Sequence, residues 1–158
     1  MDEKALRKAL VDHWKWDGID YDRSHEIYHD DAVLEFPQSG ERFVGKGNFL
    51  TWRKKYPAKL DFRIRRISGR GDLWVTENLI SYDDAPWMYT LNVLHFRGDK
   101  IAREYLYVMD GFEAADWRGP WATRFDPLAS TAPSEWREGT AFGIESDPGP
   151  AEGSPPDA

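Results

Sequence analysis

The chain has 158 residues, a formal net charge of −7 and no cysteine. This length suits one domain, and the absence of cysteine excludes disulfides, thiolate nucleophiles and zinc sites with thiolate ligands. Hydrophobic residues make up 41% and aromatic residues 15% of the chain, which excludes an intrinsically disordered protein.

The negative charge is concentrated towards the C-terminus. Residues 126–158 contain seven acids and one arginine, so the rest of the chain is nearly neutral. Without a basic stripe, nucleic acid is excluded as a partner. No segment approaches the roughly 20 apolar residues that cross a bilayer, so we expect no membrane association and a cytoplasmic protein.

The first half of the chain predicts three helices. Residues 2–16 carry apolar side chains at three- and four-residue spacing, which is typical of an amphipathic helix. A short second helix, capped by Asp20 or Asp22, is expected to run through Tyr28 and to end before a strand at residues 33–36. A third helix is expected to start near Gly45 and to end at Pro57.

From residue 58 to residue 109 the period changes to two, which predicts strands. Residues 60–64 alternate between apolar and charged, residues 73–82 form a long strand, and a tight turn at Gly98 and Asp99 joins residues 87–97 to residues 100–109. Three helices followed by an antiparallel sheet predict the α+β fold class, because each layer covers the apolar face of the other.

Three segments resemble the nuclear transport factor 2-like (SnoaL-like) superfamily, which includes the ketosteroid isomerases. They are residues 28–47 (YHDDAVLEFPQSGERFVGKG), residues 95–104 (HFRGDKIARE) and the strand end at residues 107–110. The resemblance implies three N-terminal helices packed on a strongly curved antiparallel sheet that forms a cone-shaped pocket, a cystatin-like roll. It places the domain at residues 1–125. Residues 126–158 are then an acidic tail rich in Pro and Gly, expected to be disordered at least from residue 147.

The same resemblance implies that the best-known reactions of the superfamily are absent. The position of the isomerase base is Phe36, and the position of its second acid is Leu94. The Arg and Asp positions of the epoxide hydrolase-like members fall near Asn78 and Ile80, and their late aspartate position also has no acid. An isomerase, cyclase or hydratase reaction would therefore need another acid.

Glu104 is the acid predicted on the concave face of the central strands. Burial in an apolar cone would favour its protonated form, which suits general acid–base catalysis. Alternatively, Glu104 is a structural carboxylate paired with Arg53 or a tyrosine. A third possibility is that a bulge turns Glu104 outward.

The four histidines give no ligand pair. His95 is predicted on the convex face and His29 in a loop near the pocket mouth, while His13 and His25 lie on helices. Their spacing fits no zinc or iron site, and no phosphate-binding glycine motif is present, so we expect no metal and no cofactor.

The predicted pocket lining is aromatic with a few hydrogen-bonding side chains, and suits a flat apolar or aromatic small molecule. Ordinary core packing is the alternative interpretation of the same residues. The predicted lining consists of Trp14, Tyr28, Phe36, Trp52, Trp74, Thr76, Asn78, Tyr82, Asn92, Leu94 and Leu106.

Three functions follow from this pattern. The first is a small-molecule-binding domain with no assigned reaction. The second is a small isomerase, cyclase or hydratase that acts on an apolar carbonyl or cyclic compound through Glu104, with Tyr28 or Tyr105 as hydrogen-bond donor. The third is a non-catalytic interaction module with a filled cone. A homodimer is expected through the convex sheet face, where Tyr89, Leu91, Val93, Tyr105 and Tyr107 would form an apolar patch.

Overall fold

This computed structural model describes residues 2–129 and 132–133, and these residues contain three α-helices, the third of which follows the first two strands. The helices are α1 (Glu3–Trp16), α2 (Tyr21–Ser24), which continues as a 3₁₀ turn (His25–Ile27), and α3 (Lys46–Lys54). The Asp2 carboxylate accepts a hydrogen bond from the Ala5 amide at 2.7 Å and caps α1, and Asp20 caps α2. The disorder predicted from residue 147 lies outside the described residues.

The strands form one sheet. They are β1 (Tyr28–Phe36), β2 (Glu41–Val44), β3 (Leu60–Arg70), β4 (Leu73–Tyr82), β5 (Met88–Arg97), β6 (Lys100–Met109) and the two-residue β7 (Ala132–Pro133), in the spatial order β2-β1-β6-β5-β4-β3-β7. Neighbours are antiparallel except β1 and β6, which pair in parallel. The predicted α+β class, with helices packed on a curved sheet, is confirmed.

The second helix is shorter, and the first strand longer, than the sequence predicted. The strand begins at Tyr28, which pairs with Ile101 of β6, and a register shift separates this pair from the pair of Val33 with Arg103. The prediction that the helix continues through Tyr28 is therefore wrong. Tyr28 is fully buried, and as a strand residue it pairs with Ile101 at that depth, where unpaired backbone groups would be costly.

Bulges decide which residues face inward on the long strands. In β3 the register shifts between Ile64 and Arg66, so Ile64 and Ile67 are both buried. Alternation along β6 from the buried Glu104 would place Ala102 inward, but a similar shift buries Ile101 instead. Each bulge adds twist and bends its strand, which contributes to the curvature of the sheet.

The two halves of α1 have different surroundings. Near its N-terminus, the Arg7 guanidinium donates a 2.7 Å hydrogen bond to the Ile67 carbonyl and lies 5.4 Å from the centre of the Trp74 ring. Close packing continues below that ring, because a Cβ added to Gly69 would lie only 2.4 Å from it. Towards the C-terminus of α1, His13 and Trp14 line a cavity. The cone is therefore filled at one end and hollow at the other.

The segment after β6 forms a 3₁₀ helix (Asp116–Trp121) whose aromatic side chains are exposed. Trp117 is 70% and Trp121 is 73% exposed, so neither ring packs against the sheet or the cone mouth. Phe125 lies under the Arg65 guanidinium, 5.4 Å from it, and is also largely exposed. Within residues 2–129 and 132–133, no helix is both long and apolar enough to cross a bilayer.

Candidate functional site

A cavity of about 470 Å³ lies between the sheet and the C-terminal ends of α1 and α3. Nearly half of its lining residues are Phe, Trp or Tyr, and its charged members are three acids and one arginine. The lining consists of His13, Trp14, Asp17, Tyr21, Tyr28, Phe36, Glu41, Phe43, Trp52, Arg53, Tyr56, Leu60, Phe62, Ile80, Tyr82, Thr90, Asn92, Glu104, Leu106 and Val108. This volume and lining resemble those of small-molecule sites in general.

Most of the residues predicted for the pocket lie together on this cavity. They are Trp14, Tyr28, Phe36, Trp52, Tyr82, Asn92, Glu104 and Leu106.

The remaining four, Trp74, Thr76, Asn78 and Leu94, are buried but do not line the cavity. Their side chains do face inward, yet Trp74 and Leu94 belong to the filled end of the cone. Strand alternation gives the face of a residue but not its depth along the cone, which explains this error.

Two lining residues missing from the predicted set, Arg53 and Tyr56, lie on α3 and just after it, beside the predicted Trp52. In α3 and the turn that follows it, Phe49, Trp52, Arg53 and Tyr56 recur at the spacing of one helical face. Three of them line the cavity, and Phe49 lies fully buried behind it. The same spacing in α1, extended past Trp14, would have indicated Asp17.

Glu104 is buried on the cavity wall with both carboxylate oxygens engaged. Asn92 donates from Nδ2 to Oε1 at 2.6 Å, and the Tyr28 hydroxyl donates to Oε2 through a short hydrogen bond. Burial, and then the charge of Glu104, raise the pKa of Tyr28 well above its ordinary value, so Tyr28 keeps its proton. Two donors directed at one carboxylate fix its position on the cavity wall.

Arg53 supplies positive charge beside this carboxylate. Burial opposes that charge, but Tyr28, Glu104 and Asp17 outweigh the effect and raise the pKa of Arg53. The guanidinium donates from Nη1 to His25 Nε2 at 2.9 Å and lies 5.3 Å from the centre of the Phe49 ring. Arg53 is therefore a permanent cation in a largely aromatic wall.

His25 holds Arg53 in place as a neutral ring. Its Nδ1 lies 2.8 Å from the Tyr21 carbonyl and donates to it, which leaves Nε2 as the acceptor for Arg53. Burial, Arg53 and His13 lower the pKa of His25 to about 2. Protonation of His25 would bury a second cation against Arg53.

This neutral histidine predicts a loss of stability in mild acid. The folded pKa is about 2 and the unfolded one about 6.5, so below pH 6.5 the unfolded state binds more protons. The free energy of unfolding should then fall by up to about 1.4 kcal/mol per pH unit. We expect urea denaturation between pH 7 and 5 to show this slope in the wild type and in His29→Gln, and a flatter slope in His25→Gln. Equal slopes in all three proteins would contradict the assignment.

The other three histidines contact groups other than the Glu104 carboxylate. His13 lines the cavity, and its Nδ1 donates to the Ser24 carbonyl at 2.6 Å. His29 is in β1 rather than in a loop, and its Nε2 donates to the Arg97 carbonyl. His95 packs edge to face against Tyr105, with ring centres 5.8 Å apart.

Tyr105 accordingly faces away from the cavity, and its predicted role as a donor to a bound molecule is wrong. Among the described residues, no group of three or more His, Asp or Glu side chains is arranged to hold a metal ion.

The sequence model of the SnoaL-like domain family matches residues 8–104 of this chain. The chain belongs to the SnoaL-like domain family. The predicted resemblance to the nuclear transport factor 2-like superfamily is thereby confirmed.

Solved structures of the same fold agree with this assignment. An NTF-2 like protein of unknown function from Burkholderia xenovorans LB400 is 42% identical, with a TM-score of 0.74 over 80% of this chain and 99% of that chain. A candidate ketosteroid isomerase from Kribbella flavida DSM 17836 is 16% identical, with a TM-score of 0.69 over 78% of this chain and 91% of that chain.

A third structure of similar fold is that of an LEH-like epoxide hydrolase from M. tuberculosis. It is 18% identical, with a TM-score of 0.58 over 66% of this chain and 83% of that chain. No match was found among curated proteins. The two structures of low identity establish only the fold of this SnoaL-like domain. Its reaction has to be inferred from the chemistry of the cavity.

Proposed function

We propose that this SnoaL-like domain binds a flat, mostly apolar small molecule in the aromatic cavity. The observation that supports this proposal is the hollow of about 470 Å³, lined largely by aromatic rings and containing the hydrogen-bonded Glu104 carboxylate. Rigid aromatic walls favour a flat ligand, and a few fixed polar groups would orient it. A cavity of this size argues against the interaction module with a filled cone.

The ketone 2-acetonaphthone is a suitable probe, because it combines a flat bicyclic body with one carbonyl. We expect saturable binding by calorimetry in the wild type and a loss of at least tenfold in affinity in Leu106→Trp, which fills the cavity. The control is Leu73→Trp, the same change at a strand residue that is 44% exposed and away from the cavity, and it should bind as the wild type does. Failure of the wild type to bind would contradict the proposal, and so would equal binding by both variants.

An isomerase, cyclase or hydratase is the second candidate, and the placement of Glu104 favours it. The carboxylate is on the cavity wall, and the positive charge of Arg53 is close enough to stabilise a developing enolate or alkoxide. The Tyr28 hydroxyl already donates a hydrogen bond to Glu104, so it orients the base rather than a ligand. The names of the structural relatives, an isomerase and an epoxide hydrolase, are consistent with chemistry of this class.

A homodimer through the convex sheet face is a further part of this proposal. Cross-strand neighbours place Val93 beside Tyr105 and Leu91 beside Tyr107 on the face opposite the cavity, with Tyr89 along the same strand. All five side chains are half-buried in the single chain. An apolar patch of this kind is typical of a two-fold interface. We also propose a cytoplasmic location, in agreement with a sequence without cysteine.

Light scattering at micromolar concentration should give the mass of a dimer. The double variant Leu91→Lys and Val93→Lys should give a monomer with unchanged circular dichroism, because four buried charges would oppose the paired face. The matched control replaces Ile19 and Val44, which are 61% and 64% exposed, with Lys and should remain dimeric. A wild-type monomer, or a dimer in the first variant, would show that this face is not the interface.

A further inference from the structure

Four polar side chains form a square on the concave face, next to the cavity. Thr76 and Asn78 of β4 lie directly opposite Asn92 and Thr90 of β5 in the antiparallel register. None of the four is more than 4% exposed. The polar square, as these four residues are called below, therefore occupies the centre of the sheet, where strands of this kind usually carry apolar side chains.

The polar square is short of hydrogen bonds. Seven buried side-chain nitrogen or oxygen atoms have no partner among the residues that the structure describes, and five of them belong to the square. They are Thr76 Oγ1, both amide atoms of Asn78, Thr90 Oγ1 and Asn92 Oδ1. Buried polar atoms are normally paired, so a cluster of unpaired ones indicates a place for a further polar group.

The square adjoins the cavity through its β5 half. Thr90 and Asn92 are both lining residues, whereas Thr76 and Asn78 lie behind them. The orientation of Asn92 is fixed, because its Nδ2 donates to Glu104 at 2.6 Å, and Oδ1 is left as an acceptor. The adjoining Asn78 provides two amide donors and an acceptor, and each threonine hydroxyl can do either.

We infer that the polar square is a subsite for the polar end of the bound molecule, and that water fills it when no ligand is present. This inference rests on the proposed function. The end group is neutral and carries both donors and acceptors, as a primary amide does. An ionised group does not suit the square, because its four side chains carry no charge, and a ligand carboxylate would also meet the Glu104 carboxylate.

Two naphthalene compounds of nearly the same shape separate the subsite from simple apolar binding. 2-Naphthamide carries a neutral group that donates and accepts, whereas 2-isopropenylnaphthalene carries an apolar group of similar size. In calorimetry with the wild type, we expect the amide to bind at least about tenfold more tightly, since a polar site rejects an analogue that leaves its groups unpaired.

The variant Thr90→Val removes one hydroxyl of the square and nearly keeps its shape. We expect the preference for the amide to fall to about threefold, because the ligand loses one hydrogen-bond partner. The melting temperature without ligand should not rise, because water already satisfies the hydroxyl in the empty site. Thr51→Val is the matched control, since Thr51 is exposed on α3. Thr51→Val should keep the full preference for the amide over the apolar analogue. If Thr90→Val does not fold, Thr90→Ala, which removes the same hydroxyl from the cavity wall, takes its place.

The outcomes distinguish this inference from the proposed function. If neither compound binds, the proposed function fails, and the subsite fails with it. If both bind with equal affinity, only the subsite is overturned. A Thr90→Val protein that gains stability but keeps the full preference would also overturn the subsite, because the square would then be an imperfect core without contact to the ligand.

Discussion

Replacing Arg53 with Met is expected to lower the free energy of unfolding by about 3 kcal/mol, the cost of leaving a buried charge without its partner. The guanidinium offsets the Glu104 carboxylate, donates to His25 at 2.9 Å and lies over the Phe49 ring. Met preserves much of the apolar volume, so the loss is mainly electrostatic. Urea denaturation at pH 7 measures this decrease in the free energy of unfolding.

The next residue along α3 is a matched control. Lys54 forms a 2.6 Å ion pair with Asp22, but both side chains are largely exposed, so Lys54→Met should cost less than about 1 kcal/mol. In a double-mutant cycle, adding Glu104→Gln to Arg53→Met should restore at least about 1 kcal/mol, because the uncompensated carboxylate is removed. Equal costs for the two Met variants, or strictly additive effects in the cycle, would show that Arg53 does not stabilise Glu104.

Local periodicity was sufficient to predict the elements that carry this site. The alternation from residue 73 to residue 109 predicted β4 and β6 at their observed ends and β5 within one residue, because the two faces of these strands meet different surroundings. The first helix was also predicted within one residue. Errors appeared where a bulge changes the alternation, as at Ala102 and Ile101, since the sequence does not mark the extra residue.

The contacts within the site could be predicted only in part. Tyr28 and Glu104 are separated by 76 residues, and Arg53 and His25 by 28, so their meeting depends on how the elements pack. The sequence offered Arg53 or a tyrosine as partners of Glu104, and the structure makes the Tyr28 hydroxyl its hydrogen-bond donor, while Arg53 acts on it through its charge. His25 could not be identified in this way, because its role depends on a neutral ring aligned by the Tyr21 carbonyl.

Replacing Glu104 with Gln is expected to abolish any proton transfer at carbon while preserving binding. In heavy water, the wild type should accelerate exchange of the methyl protons of 2-acetonaphthone, as followed by NMR. The Glu104 carboxylate would take a proton from the carbon next to the carbonyl, and the electron pair of that C–H bond would move into the enolate. Arg53 stabilises the enolate charge, and a deuteron from the solvent completes the exchange.

Gln has nearly the same shape as Glu and retains an oxygen that can accept from Asn92, but it cannot act as a base. The exchange rate should therefore fall by at least about 10²-fold, whereas the affinity for the ketone should stay within about tenfold. Glu35→Gln is the control, because Glu35 is also largely buried but pairs with Arg42 and Arg103 and does not line the cavity.

Each possible result separates the two candidate functions. Exchange in the wild type no faster than in buffer, together with tight binding of the ketone, would support a binding protein and exclude carbonyl enolisation. Exchange that persists in Glu104→Gln would show that another group is the base. If the affinity of Glu104→Gln for the ketone falls more than tenfold, the carboxylate acts chiefly by orienting Asn92 and Tyr28. Its role is then to bind the ligand and not to transfer a proton.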